Sequence, residues 1–146
     1  MKQLAKPIAL LIIIGVAVLL LIQLVPYGRD HANPPVVSEL KWDSPQTRML
    51  AERACFDCHS NQTTWPWYSN IAPVSWLVYR DVVDGRRHMN FSDWQRQRLE
   101  GPGEIGSAVS EGEMPPLQYL LMHPSARLSA GEKEQLINGL TKTTSQ

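Results

Sequence analysis

The sequence predicts an all-α chain, with a long apolar helix at the N-terminus followed by a small helical domain. Three observations carry this. Residues 7–25, PIALLIIIGVAVLLLIQLV, hold no charge and one polar residue, Gln23. Beyond them, apolar residues recur at helical spacing behind recognisable N-caps. No segment shows the sustained alternation of a half-buried strand.

The first element is expected to be a transmembrane signal anchor. About 20 apolar residues cross a bilayer as a helix, and Pro26-Tyr27-Gly28-Arg29-Asp30 ends the run sharply. A cleaved signal peptide is the rival, with Lys2 and Lys6 as its positive region. Such a peptide has an apolar core of only about 7–15 residues and a small-x-small cleavage site, whereas Val25-Pro26-Tyr27-Gly28 follows here. A buried core helix would show a polar stripe, and none is visible. Lys2 and Lys6 place the N-terminus in the cytoplasm and the remainder across the membrane. The division expected is 1–25 for the N-terminus and anchor, 26–41 for a tether and 42–146 for the domain.

The chain has fourteen Lys+Arg against fourteen Asp+Glu. Without Lys2 and Lys6 the exported part carries about −2, which is no balance for nucleic acid or a polybasic lipid contact. Asn33-Pro34-Pro35 makes 26–41 read as extended. Ser44-Pro45 then opens a helix, as an N-cap followed by proline at the first helical position. Met49, Leu50, Arg53 and Ala54 carry it to Cys55, and Asn61-Gln62-Thr63-Thr64 reads as the loop that ends it. After Trp65-Pro66-Trp67-Tyr68, Pro73 opens a helix with Val74, Trp76, Leu77, Val78, Val82 and Val83, which Gly85 should stop. Ser92-Asp93-Trp94-Gln95 reads as a capping box for a third helix closed by Gly101. A short helix through Ile105, Ala108 and Val109 stops at Gly112. Met114-Pro115-Pro116 cannot lie inside a helix. Ser129 and Glu132 frame the last helix, whose buried face is Leu136, Ile137 and Leu140.

The two cysteines of the chain fall in one motif, Cys55-Phe56-Asp57-Cys58-His59. C-x-x-C-H reads as a site of covalent c-type haem attachment. Cys55 and Cys58, three apart, share a helical face, so their thiols can meet two vinyl groups on one porphyrin edge. His59, one turn from Cys55, can supply the proximal axial bond to iron. The alternatives are weaker. A thioredoxin-like motif wants a βαβ context. A structural zinc site needs four ligands, and His31, His88 and His123 are scattered. A plain disulfide or two free thiols is the third alternative, and a disulfide scaffold would want more cysteines at wider spacing. So small a domain also has a marginal core, which a large apolar cofactor would complete.

The run CFDCHSNQTTWPWYSNIAPVSWLVYRDVVDGRRHMNFSDW, followed by EMPPLQYLLMHPSARLSAGE, resembles the bacterial haem-binding domain family with a single c-type haem. The resemblance covers about residues 40–140, and several separated blocks agree in order. It implies a cytochrome-c-like helical haem domain, often behind a membrane anchor, and hence a bacterial inner-membrane protein with its haem in the periplasm. It implies no defined reaction.

Methionine opposite histidine is common at electron-transfer haems. Met114 is the expected distal ligand, because it follows a helix stop in a loop stiffened by two prolines. The distal methionine of cytochromes c, in a loop before the final helix, points the same way. Met89, Met122, His88 and His123 are its rivals, with His123 first among them, and the bland alternative is a core filler. Trp65, Trp67 and Tyr68 are expected to wall the haem, although ordinary core packing serves any one of these rings equally well. Arg80, Arg86 and Arg87 are candidates for propionate pairing, against plain surface charge. Asn90 is a candidate to bond a loop near the haem edge.

The function expected is a one-electron carrier that meets an unidentified redox partner protein, since nothing resembles an acid/base or nucleophile constellation. The alternatives are a haem-based ligand-binding or sensory module, or a peroxidase-like enzyme.

Overall fold

The computed structural model describes residues 2–97 and 102–145. Among them the chain is all-helical: α1 (Lys2–Ile22), α2 (Pro45–Ala54), α3 (Phe56–His59), α4 (Val74–His88), α5 (Pro102–Ser110), α6 (Leu117–Met122) and α7 (Ala130–Thr144). Three short 3-10 turns join them, at Trp67–Asn70, Trp94–Arg96 and Pro124–Ala126. The only β-type pairing among the described residues is an isolated bridge between Ser38 and Asp93.

The chain folds as two compact units, Met1–Ala32 with Trp65–Asp81, and Asn33–Thr64 with Val82–Gln146. In the first, α1 ends at Ile22 through the side chain of Gln23. Its amide donates to Leu19 O and Ala72 O, both at 2.9 Å, and its Oε1 accepts from Ala72 N at 3.0 Å. Residues 23–25 finish in tighter i→i−3 bonds. This corrects the expected transmembrane helix over 7–25. Among the described residues, no helix is long and apolar enough to cross a membrane. The physical reason is the early stop. From Pro7 to Ile22 the helix rises about 24 Å at about 1.5 Å per residue, short of the roughly 30 Å of a hydrocarbon core.

In the second unit, α7 packs against α5 and α2. Leu40, Leu50, Ala51, Phe56, Met89, Phe91, Leu136 and Leu140 form the core, with Trp42, Cys55, Trp94, Ile105 and Leu128 packed on it. Local chemistry sets the helix starts. Ser44 Oγ accepts from Thr47 N, with Pro45 at the first position of α2. The Ser129–Glu132 capping box of α7 is complete in both directions.

Two other expectations need correction. α4 does not stop at Gly85 but continues to His88. Ser92 caps no helix, because its hydroxyl accepts from Asn61 N at 3.0 Å. Residues 91–97 form turns and a 3-10 segment instead, and Gly101, expected to close that helix, lies outside the described residues.

Candidate functional site

Cys55 is the hinge between two helices. It closes α2, its N–H donating to Ala51 O at 2.8 Å, and opens α3 with φ −127° and ψ −32°. Its carbonyl accepts from Cys58 N at 3.2 Å and His59 N at 2.9 Å, so the motif closes into a single turn. Both cysteines are half-buried thiols. Burial, with Cys58 nearby, pushes the Cys55 thiol up to about 12. Phe56, between them, is 5% exposed and anchors the turn in the core, its ring 5.6 Å from Phe91 and 6.0 Å from Trp42.

The imidazole of His59 is held from one side. Its Nδ1 lies 3.0 Å from Gly85 O and 3.1 Å from Met89 O. Both partners are carbonyls, so Nδ1 must carry the proton, which leaves the lone pair on Nε2. Burial lowers the pKa of His59, the two backbone bonds oppose that shift, and His88 adds a little to it. α4 can come this close because residue 85 is glycine. A Cβ there would stand 2.5 Å from Cys58 O.

The loop after the motif is pinned as firmly. Arg86 donates to Ser60 O at 2.8 Å, Asn33 Oδ1 at 2.8 Å and Thr63 Oγ1 at 2.9 Å. Its guanidinium is therefore bonded within the protein, to one backbone carbonyl and two side-chain oxygens, rather than standing as plain surface charge. Asn90 donates to Asn61 Oδ1 at 2.8 Å and accepts from Ser92 N at 2.9 Å. Asn61 in turn donates to Pro35 O.

Met114 is 40% exposed. Gly112, at φ +79°, turns the chain out of α5, and Met114 N donates back to Ala108 O at 3.0 Å. Of its rivals, Met89 is buried in the core, and Met122 is exposed. His88 Nδ1 bonds Asp84 O at 2.8 Å, and His123 stacks on Tyr119 with ring centroids 4.1 Å apart. Trp65, Trp67 and Tyr68 belong to the first unit and the cysteine motif to the second. Trp65 stacks on His31 at 4.5 Å, and His31 Nε2 bonds Ser69 O at 3.1 Å. Trp67 is 73% exposed and meets Tyr68 edge to face.

Two features escaped the sequence reading. In the sequence Gly85 signals only a helix stop, and Tyr119 carries no signal of its own. The Tyr119 hydroxyl donates to Asp57 Oδ2 at 2.7 Å, inside the cysteine motif, across 62 residues of chain.

The haem-binding domain family matches residues 17–142. The chain belongs to this family. It is accordingly a haem-binding protein, with haem as its cofactor. No curated protein and no solved structure matches it. The residues present fit the family's group. A neutral imidazole, its Nδ1 proton committed to two carbonyls, is the donor that iron takes, and such a partner to the second nitrogen is what orients a ligating histidine. The half-buried thiols of Cys55 and Cys58 lie on the same turn as this ring.

Proposed function

We propose that this member of the haem-binding domain family holds one c-type haem covalently, in a cytochrome-c-like domain, and carries single electrons outside the cytoplasm. Cys55 and Cys58 would hold the group as thioethers, His59 Nε2 as proximal ligand and Met114 as distal ligand. When bound, the iron supplies a one-electron couple. The residues around it do the remaining work. Gly85 O and Met89 O fix the ring of His59, Phe56 ties the turn to the core, and Arg86 holds the loop that follows. A site held on so many sides needs little rearrangement between oxidation states, which suits transfer to a redox partner protein. The observation that carries this reading is the pair of carbonyls on His59 Nδ1.

The test is an intact mass and a denaturing gel of the full chain, made in a host that matures c-type cytochromes. One haem should remain with the polypeptide, and Cys55→Ser with Cys58→Ser should remove it. A wild-type chain without added haem would overturn the covalent reading.

One observation favours a second reading. At 40% exposure Met114 is open to solvent, which suits a distal position that vacates for a diatomic or peroxide ligand. Rapid stoichiometric binding of carbon monoxide to the ferrous protein would favour such a ligand-binding or peroxidase-like module. Slow binding favours the carrier.

A further inference from the structure

We propose that Tyr119 is a positioning residue for Met114, acting through Asp57 of the attachment motif. The inference rests on the reading of Met114 as distal ligand. Met114 sits between two fixed points. Upstream, its own N–H is bonded to Ala108 O at 3.0 Å, at the end of α5. Downstream, Pro115 and Pro116 restrict the backbone and lead directly into the turn where Tyr119 N and Leu120 N donate to Pro116 O, at 3.0 and 3.1 Å. What fixes this second point to the attachment turn is the hydroxyl of Tyr119, donating to Asp57 Oδ2 at 2.7 Å.

The acceptor is itself immobilised. Asp57 Oδ1 accepts from Thr64 N at 2.9 Å, and Asp57 O accepts from Thr63 Oγ1 at 2.7 Å. The donor ring is held as well, stacked at 4.1 Å and 19° on His123, whose Nδ1 meets Tyr119 O at 3.1 Å. Burial first, then the hydrogen bond to Asp57 and its charge, push the pKa of Tyr119 up, so the hydroxyl that the geometry places on Asp57 Oδ2 stays a donor. One phenolic hydrogen bond thus links the residue between the two thiols to the segment that carries Met114. Sequence spacing alone relates neither to the other.

Tyr119→Phe removes the hydroxyl and leaves the stacked ring. In the haem-loaded full chain it should keep the covalent haem and raise the rate of carbon monoxide binding to the ferrous form about tenfold, the scale set by losing a hydrogen bond to a carboxylate. The ferric sulfur-to-iron absorption should weaken. Asp57→Ala should reproduce both effects. Met114→Ala should abolish the ferric band and set the upper limit of the rate, and adding Tyr119→Phe to it should give no further acceleration.

If Met114→Ala leaves spectrum and rate unchanged, the distal assignment fails and this inference goes with it. If Met114→Ala alters both while Tyr119→Phe and Asp57→Ala behave as wild type, the assignment stands and the positioning role is overturned. Equal acceleration by Tyr119→Phe with and without Met114 would also overturn it.

Discussion

Replacing Gly85 by alanine puts the close approach of α4 to the turn of the cysteine motif to a quantitative test. In an ordinary helix interior the change stabilises, by about 1 kcal/mol. Here the new Cβ would lie 2.5 Å from Cys58 O and 3.0 Å from Cys58 C and Cβ. Backbone atoms cannot rotate away, so α4 must retreat by about 0.9 Å to reach an ordinary contact near 3.4 Å. A retreat of that size stretches the 3.0 Å bond from His59 Nδ1 to Gly85 O toward about 3.9 Å, beyond hydrogen-bond range. Overpacking costs about 1–3 kcal/mol and the weakened hydrogen bond about 0.5–1.5 kcal/mol. After the propensity gain, the net loss should be about 2 kcal/mol. Denaturant midpoints of the haem-loaded full chain read this directly. Gly131→Ala, where a Cβ meets nothing within 4 Å, is the matched control and should be neutral or stabilising. The Nδ1 proton resonance of His59 should shift in Gly85→Ala alone. A Gly85→Ala protein as stable as wild type, with that resonance unmoved, would refute the reasoning.

Leu136→Ala, at a fully buried position of α7 facing the core, should lower the unfolding free energy by about 2–5 kcal/mol in the same assay. Arg86→Ala should cost about 1–3 kcal/mol, because it strips the buried carbonyl of Ser60 of its donor. Arg86→Lys should not rescue it, since one ammonium cannot reproduce the three-way fork. Glu132 is held down to about 2 by the Ser129 backbone N–H, then by Arg53 and the Ser129 hydroxyl. A carboxyl whose folded pKa is depressed contributes stability above its unfolded pKa and loses it as pH falls through the folded value. Wild type should therefore lose its advantage over Glu132→Gln between about pH 4.5 and about pH 2, as followed by denaturant midpoints. A difference that stays constant across that window would contradict the assignment.

The parts of the fold legible in the sequence were those that local chemistry settles. Ser44 before Pro45, and Ser129 before Glu132, cap their helices through bonds three residues long. The helical character of the chain was legible for the same reason, and the C-x-x-C-H motif pointed to the cofactor of the family to which the chain belongs. Errors arose where a distant partner overrides a local signal. Ser92 has the right neighbours for a cap, but its hydroxyl is taken by Asn61, 31 residues away. Gly85 looks like a stop, yet its value lies in proximity to Cys58, which no helical pattern encodes. The apolar run of 7–25 signals by length alone, whereas Gln23 and Ala72 decide where its helix ends. Tyr119 was invisible because its partner lies 62 residues back.

The first unit is discontinuous, and this bears on the order in which the protein can be made. Three residues of its N-terminal stretch have partners in residues 65–81: Gln23 waits for Ala72, Tyr27 for Tyr79 and His31 for Ser69. A chain emerging from the ribosome therefore presents Gln23 some fifty residues before its partner Ala72 exists, and closing that loop is an entropic step that local helix formation does not need. The cysteine motif emerges in that interval, since Cys55 to His59 precede every one of those partners. A chain lacking residues 1–32 would strand the acceptors at Ser69 and Ala72 while leaving the motif in place.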